Sequence, residues 1–211
     1  METYWSRFVE DYDNRREYVV GRELDALMKR RFEEQQDLGR LLEFGCGTGD
    51  FTRCVVVQSE SVLATDYSSQ LVSAMERTFA DESKVKVQQA NCHATNFPDG
   101  SFDTVMMSNL IHVIPEPQKA IAEAHRLLRP GGTLLLSCFT VENTAVWHKL
   151  ALLYRYLLTF GRLPKERTAF TVATLSETVR SRGFEIDEAT LVGKTTKAVF
   201  LKATKSQRGN Q

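Results

Sequence analysis

Nowhere in its 211 residues does the chain contain a stretch of about 18 uncharged apolar residues, so no membrane-spanning helix is expected. It also lacks a charge excess. Lys plus Arg and Asp plus Glu both number 27, which leaves no global field to draw nucleic acid or an anionic membrane. Cysteine is scarce and scattered: Cys46, Cys54, Cys92 and Cys138 have no C-x-x-C spacing, so neither a zinc site nor a disulfide framework is expected, and no metal. The first residues, Met1 to Arg7, contain no apolar signal-peptide core, and a reducing, cytoplasmic location is the expectation. Internal repeats are absent, and the polar run from Lys205 to Gln211 is expected to fray. The length fits a single domain over 1–211 with a core of its own.

Against this plain background one segment stands out, Leu41-Leu42-Glu43-Phe44-Gly45-Cys46-Gly47-Thr48-Gly49-Asp50. An apolar run that ends in closely spaced glycines lets a ligand approach bare backbone, because glycine carries no Cβ and tolerates positive φ. The spacing is G-x-G-x-G. A dinucleotide fingerprint needs a glycine where this chain has Asp50, and a carboxylate there suits a pyrophosphate poorly, which argues against NAD.

Further along come Val62-Leu63-Ala64-Thr65-Asp66, Phe97-Pro98-Asp99-Gly100-Ser101-Phe102-Asp103-Thr104-Val105 and Arg126-Leu127-Leu128-Arg129-Pro130-Gly131-Gly132. Taken with the glycine segment, these resemble the class I S-adenosylmethionine-dependent methyltransferases over about residues 38 to 140. The small-molecule subgroup that includes the quinone-biosynthesis methyltransferases is the most similar by pattern. The resemblance implies S-adenosyl-L-methionine as cofactor and an α/β fold: a Rossmann-like three-layer sandwich with a mostly parallel seven-stranded sheet.

The residues read the same way. Apolar positions Val20, Leu24, Leu27, Met28 and Phe32 predict an amphipathic helix within 17–36. After it, short apolar runs at 40–44, 61–65, 84–88, 102–108 and 132–139 alternate with helical patterns near 50–58, 69–80 and 117–129, and a helix follows near 172–182. Such alternation predicts a parallel sheet covered on both faces. Phe184 to Leu191 and Lys197 to Ala203 meet around Gly193 too tightly for a parallel crossover, so an antiparallel C-terminal hairpin is expected. Residues 140–171 are too long for an ordinary connection and are apolar nearly all round, which predicts a helical lid insertion. Its partners are the domain, a bound apolar ligand or a second subunit, so a homodimer through the lid stays open.

Ligands of open parallel sheets sit at the carboxyl ends of the strands, which groups the expected cofactor residues: Glu43, Gly45, Cys46, Gly47, Gly49, Asp66, Tyr67, Asn91, Cys92 and Ser108. Asp66 can accept hydrogen bonds from both ribose hydroxyls, while Ser68 or Ser69 is better placed to cap the following helix. Tyr67 can lie beside the adenine or be a loop tyrosine. Asn91 stands where the resembled family most often has aspartate, and keeps a carbonyl acceptor without the charge. Cys92 offers its backbone N–H, its thiol being incidental. Glu43 would face the cationic methionine end or bond the glycine loop, and Ser108 and Asn109 would contact the methionine.

A sulfonium methyl is already activated, so the protein mainly has to align a nucleophile and exclude water. Where the acceptor must lose a proton, His112 in Ser108-Asn109-Leu110-Ile111-His112-Val113-Ile114-Pro115 is the candidate catalytic base, with ordering the loop before Pro115 or merely lining the pocket as its alternative roles. His93 lies toward the adenine, His125 reads as a surface residue, and His148 falls in the insertion. An aromatic segment, 1–16, is similar to segments that close over the methyl donor in related enzymes, and Tyr4, Trp5 and Tyr12 can present rings to sulfonium and substrate or form a strap on the sheet edge. Trp147 and Tyr154 complete the expected acceptor-binding set. The function these features predict is methyl transfer to a small, largely apolar acceptor, with no nucleic-acid partner. Two alternatives stand beside it: a non-catalytic cofactor-binding or scaffolding protein, and a protein or RNA methyltransferase.

Overall fold

A computed structural model of the chain describes residues 4–206, so Met1 to Thr3 of the cap and 207–211 of the polar tail lie outside the described residues. Seven strands, β1 (Gly39–Phe44), β2 (Ser59–Asp66), β3 (Val85–Gln89), β4 (Phe102–Ser108), β5 (Leu128–Thr140), β6 (Phe184–Val192) and β7 (Lys197–Lys205), form one sheet in the order β3-β2-β1-β4-β5-β7-β6. The five leading strands run parallel; β7 lies antiparallel to both β5 and β6. The expected C-terminal hairpin is present, and its turn demands Gly193: at φ +94° any Cβ would sit 2.3 Å from the Thr196 carbonyl oxygen.

Alternation along the strands divides the core in two. Leu41, Ala64, Met106, Leu135 and Phe200 point to one face, and their neighbours Leu42, Val105, Met107, Leu134, Leu136 and Leu201 to the other, all of them buried. The first face is covered by α1 (Tyr12–Val20), α2 (Arg22–Glu33) and α3 (Ser69–Thr78), the second by α4 (Pro117–Leu127) and α6 (Val172–Arg180). Phe32 of α2 anchors the first cluster, its ring 5.4 Å from those of both Phe51 and Phe200.

Local chemistry sets the helix ends. Ser68 caps α3 by accepting from the Leu71 N–H at 3.3 Å, as its sequence position predicts. Thr171 and Thr174 form a reciprocal capping box at the start of α6. Two expectations need correction. The helix within 17–36 is two helices, because Gly21 adopts φ +91° between α1 and α2 and closes α1 through its N–H to the Glu17 carbonyl. The pattern near 50–58 yields only a 3-10 turn at Thr52–Cys54: the β-branched run Val55-Val56-Val57 is a poor helix former, and the Thr52 hydroxyl is engaged with Glu43. Strand β5 begins earlier than the predicted 132, directly where α4 ends.

The insertion holds α5 (Val146–Phe160), which packs against α1. Its inner residues Leu152, Tyr156 and Phe160 join the first cluster through Tyr4, Trp5, Phe8 and Tyr12, so cap and insertion close on each other over the carboxyl ends of the strands.

Candidate functional site

The turn after β1 shapes a crevice of about 550 Å³ at the strand ends. Its glycines divide the work. Gly45 and Gly49 hold φ of +69° and +86°, which disfavours any side chain, and a Cβ there would also displace the end of Leu110, 2.6 Å away, or the Phe79 ring, 2.4 Å away. Gly47, at φ +56°, has open space where a Cβ would stand and borders the crevice. Gly45, Cys46, Gly47 and Thr48 line the cavity; Gly49 does not, a correction to its expected contact role that follows from its seat beneath Phe79.

Opposite the turn, Asp66 ends β2 and lines the same crevice. Its Oδ2 accepts from the Gly47 N–H at 3.1 Å and its Oδ1 from the Ser68 N–H at 2.9 Å, which fixes the plane of the carboxylate. Burial pushes its pKa up against these two backbone donors. Tyr67, Asn91, Cys92 and His93 continue the wall, and the Asn91 Oδ1 accepts from the His93 N–H at 3.0 Å. Burial pushes the Cys92 thiol up to about 12, which favours the protonated form at neutral pH.

Glu43 is fully buried and does not line the crevice, contrary to the expectation that it faces the ligand. It lies one layer down, accepting from the Thr52 hydroxyl and from the Ser108 hydroxyl at 3.3 Å. Burial raises its pKa to about 7 despite those donors. Ser108, which does border the crevice, thereby links wall and buried acid.

Next to Ser108 the chain turns sharply at Asn109, held at φ +52° while its N–H donates to the Ser137 carbonyl at 2.9 Å. Both ends of its side-chain amide are buried and make no hydrogen bond among the described residues. Asn109 borders two cavities. Beyond it opens a second, apolar chamber of about 310 Å³, whose walls include His112, Val113, Phe139, Leu152, Tyr156 and Phe160. Trp5, Tyr12, Arg16, Asn109, Val113 and Pro164 belong to both cavities, so the two adjoin.

His112 faces this chamber rather than the first crevice. Its ring stands edge-on to Phe139 at 5.7 Å, its Nδ1 is buried without a partner, and burial lowers its pKa to about 4. At neutral pH it is therefore a neutral imidazole. Its backbone carbonyl accepts from the Thr168 N–H at 3.0 Å, which ties the insertion to the loop after β4 independently of the imidazole.

Of the expected acceptor-binding residues, Tyr12 lines both cavities and Tyr4 the first crevice only. The Tyr4 hydroxyl has the Phe160 and Arg162 carbonyls within reach at 2.7 and 2.8 Å, so its single proton is shared between or alternates over two acceptors on the insertion and holds the cap onto it. Trp147 and Tyr154 are not in place: 78% and 65% exposed, they line neither cavity. A helix apolar all round cannot announce its inner face by periodicity, and the aromatic cluster with Tyr12 and Trp5 selects Leu152, Tyr156 and Phe160 instead. His125 is half-buried against Phe184, with ring centres 5.1 Å apart, rather than a free surface residue; His148 is exposed.

Sequence reasoning missed an ionic cluster beside the glycine turn. Arg16 of α1, itself buried, pairs with Asp25 at 2.8 Å, with Asp13 and with Asp50, while Lys29 reaches Asp25 and Asp50 at 2.8 and 2.9 Å. The Thr48 hydroxyl donates to Asp13 at 2.7 Å. The available signal was Asp50 itself: a half-buried carboxylate after the glycines requires a cation nearby. Among the described residues no group of His, Cys, Asp and Glu could hold a metal, and no helix is long and apolar enough to cross a membrane.

Comparison with known proteins agrees with this architecture. Residues 42–136 match the family described as Methyltransferase domain. The ubiquinone/menaquinone biosynthesis C-methyltransferase of Yersinia pestis is 32% identical over 175 residues, covering 79% of this chain and 68% of the relative. The demethylmenaquinone methyltransferase of Clavibacter sepedonicus is 30% identical over 101 residues, 48% of this chain. The chain spans only 41% of that relative's length and 48% of the Pasteurella multocida relative's. In three dimensions the chain is similar to a SAM-dependent methyltransferase of Thermotoga maritima, with a TM-score of 0.74 and 21% identity, covering 96% of this chain and 99% of the other, a likeness of fold alone. A crevice built on a G-x-G-x-G turn and an aspartate ending β2, together with the Yersinia match over most of both chains, places the protein among its relatives: it belongs to the class I S-adenosylmethionine-dependent methyltransferases.

Proposed function

We propose that the protein transfers the methyl group of S-adenosyl-L-methionine to a small, largely apolar acceptor seated in the 310 Å³ chamber. The observation that carries this reading is the junction of the two cavities, where Trp5, Tyr12 and Asn109 belong to both walls. In this reading the Asp66 carboxylate accepts the ribose hydroxyls, Asn91 and the Cys92 backbone meet the adenine, and Gly45 to Gly47 give bare backbone to the methionine end. When bound there, the cofactor would supply an electrophilic methyl carbon on a sulfonium, held by these residues with the methyl directed at the junction of the two cavities.

The chain's own residues then have three tasks. Trp5, Tyr12 and Phe160 exclude water and present aromatic surface to the sulfonium charge. Asn109 offers an unused donor and acceptor at the junction, enough to orient a hydroxyl or carbonyl of the acceptor. His112, neutral and with a free Nδ1, takes the proton if the acceptor must lose one. The apolar walls, and the quinone-biosynthesis names borne by relatives such as those of Yersinia pestis and Clavibacter sepedonicus, both favour a ring or chain compound carrying a neutral polar group.

The test is a mass-spectrometric assay with purified protein, S-adenosylmethionine and a panel of quinols, phenols, amines and peptides. A mass gain of one methyl on an apolar hydroxylated member, with stoichiometric S-adenosylhomocysteine, supports the reading. Methylation confined to peptides or RNA, or cofactor binding with no turnover on any class, overturns it.

A further inference from the structure

The face of α5 turned away from the chamber is unusually apolar for a surface. Val146, Trp147, Leu150, Leu153, Tyr154, Leu157 and Leu158 are between 40% and 78% exposed. At 3.6 residues per turn these seven positions fall within an arc of about 140°, so they form one continuous stripe about four turns long rather than scattered exceptions. A patch of this kind on an isolated domain marks a contact surface.

Charge says what kind. Helix α5 contains no acidic residue, and from Ala145 to Arg167 the cations Lys149, Arg155, Arg162, Lys165 and Arg167 face Glu166 alone. None of the five makes an ion pair among the described residues; Arg155 reaches the Tyr18 carbonyl, Arg162 lies over the Tyr4 ring, and Arg162, Lys165 and Arg167 also stand at the rims of the two cavities, their exposed sides adding to the charge of Lys149. Net neutrality of the whole chain conceals this local excess, which acts over about 8 to 10 Å at ordinary ionic strength. Helices that lie in a bilayer surface combine these features: an apolar stripe with Trp and Tyr in it, basic residues beside it and no acid.

We propose that the outer face of α5 docks on an anionic lipid surface. The helix lies with Trp147, Leu150, Tyr154 and Leu158 entering the interface and with Lys149 and the Arg162 to Arg167 loop meeting lipid phosphates. A second copy of the chain fits the same stripe less well. Antiparallel pairing of two α5 helices through this stripe sets the two copies' Lys149 side chains on one flank and their Arg155 side chains on the other, with no acid in either helix to offset them. The opposite side of α5 roofs the apolar chamber through Leu152, Tyr156 and Phe160, so docking sets that roof against the membrane.

The experiment uses the full chain and vesicles of phosphatidylcholine alone or with about 30% phosphatidylglycerol, and needs no methyl transfer, so its outcome is independent of the assigned activity. Co-sedimentation with the anionic vesicles, a blue shift of tryptophan emission, and release at about 0.5 M salt are expected. Replacing Lys149 or Lys165 by Gln should weaken partition about fivefold each, the equivalent of about 1 kcal/mol per charge. Leu150→Glu combined with Leu158→Glu should abolish it while S-adenosylhomocysteine affinity, measured by calorimetry, shows that the variant is folded. Equal partition onto neutral and anionic vesicles, no partition onto either, or a dimer by sedimentation that the double variant dissociates would overturn the proposal.

Discussion

Arg16 of α1 is ion-paired with Asp50, the residue immediately after the glycine turn, and through Asp25 and Lys29 the same cluster reaches α2. The cap is thus anchored by charge as well as by its aromatic contacts. Because the Arg16 guanidinium is buried, removing it leaves Asp13, Asp25 and Asp50 facing Lys29 alone.

Arg16→Met should therefore destabilise the fold by about 3 to 5 kcal/mol, the cost of breaking a buried ion pair from one side. Urea unfolding measures it. Burial alone would raise the Asp50 pKa, but hydrogen bonds from Arg16 and Lys29 hold it below the ordinary carboxylate value. Its contribution is present above the unfolded pKa and lost as pH falls through the folded one, so in acid the gap between wild type and Arg16→Met should narrow. A constant gap from neutral pH into acid would contradict this.

Glu43 runs the other way. Burial lifts it from an ordinary 4.5 to about 7, so between those values the folded state keeps a proton that the unfolded state releases. Stability attributable to Glu43 falls as pH rises across that window and then levels off. Glu43→Gln should gain on wild type between about pH 4.5 and about pH 7 in matched denaturant titrations and hold that gain above it. A difference that does not change with pH would mean that the carboxyl titrates normally.

The acceptor chamber makes a third expectation. Tyr156→Ala should raise the Michaelis constant for an apolar acceptor with little change in cofactor affinity, because Tyr156 lines only the second cavity. His112→Gln should instead depress turnover for acceptors that must lose a proton and spare those that need not. Equal losses for both acceptor classes would mean that the His112 imidazole shapes the chamber wall without taking a proton.

Much of the frame could be read from residues alone. The alternation of apolar runs located every strand, and Gly193 announced the antiparallel end, because turn chemistry and two-residue periodicity are local. What escaped depended on tertiary choice. Gly21 splits a continuous helical pattern by adopting a positive φ that periodicity does not register. Glu43 turned inward to Thr52 and Ser108, and α5 could present any of its apolar sides until the cap residues Trp5 and Tyr12 chose one. The Arg16 cluster joins residues up to 35 positions apart, a distance across which such pairing leaves no trace in sequence.

The central claim is that the crevice at the G-x-G-x-G turn holds S-adenosylmethionine with Asp66 on the ribose. Isothermal titration of wild type and Asp66→Ala with S-adenosylhomocysteine, with NAD as control ligand, tests it most directly. The account predicts micromolar binding to wild type, roughly micromolar being ordinary for about 8 kcal/mol, no heat with NAD, and a loss of about 1.5 to 3 kcal/mol in the variant. An unchanged dissociation constant in Asp66→Ala, or binding of NAD in place of the methyl-donor product, would contradict it.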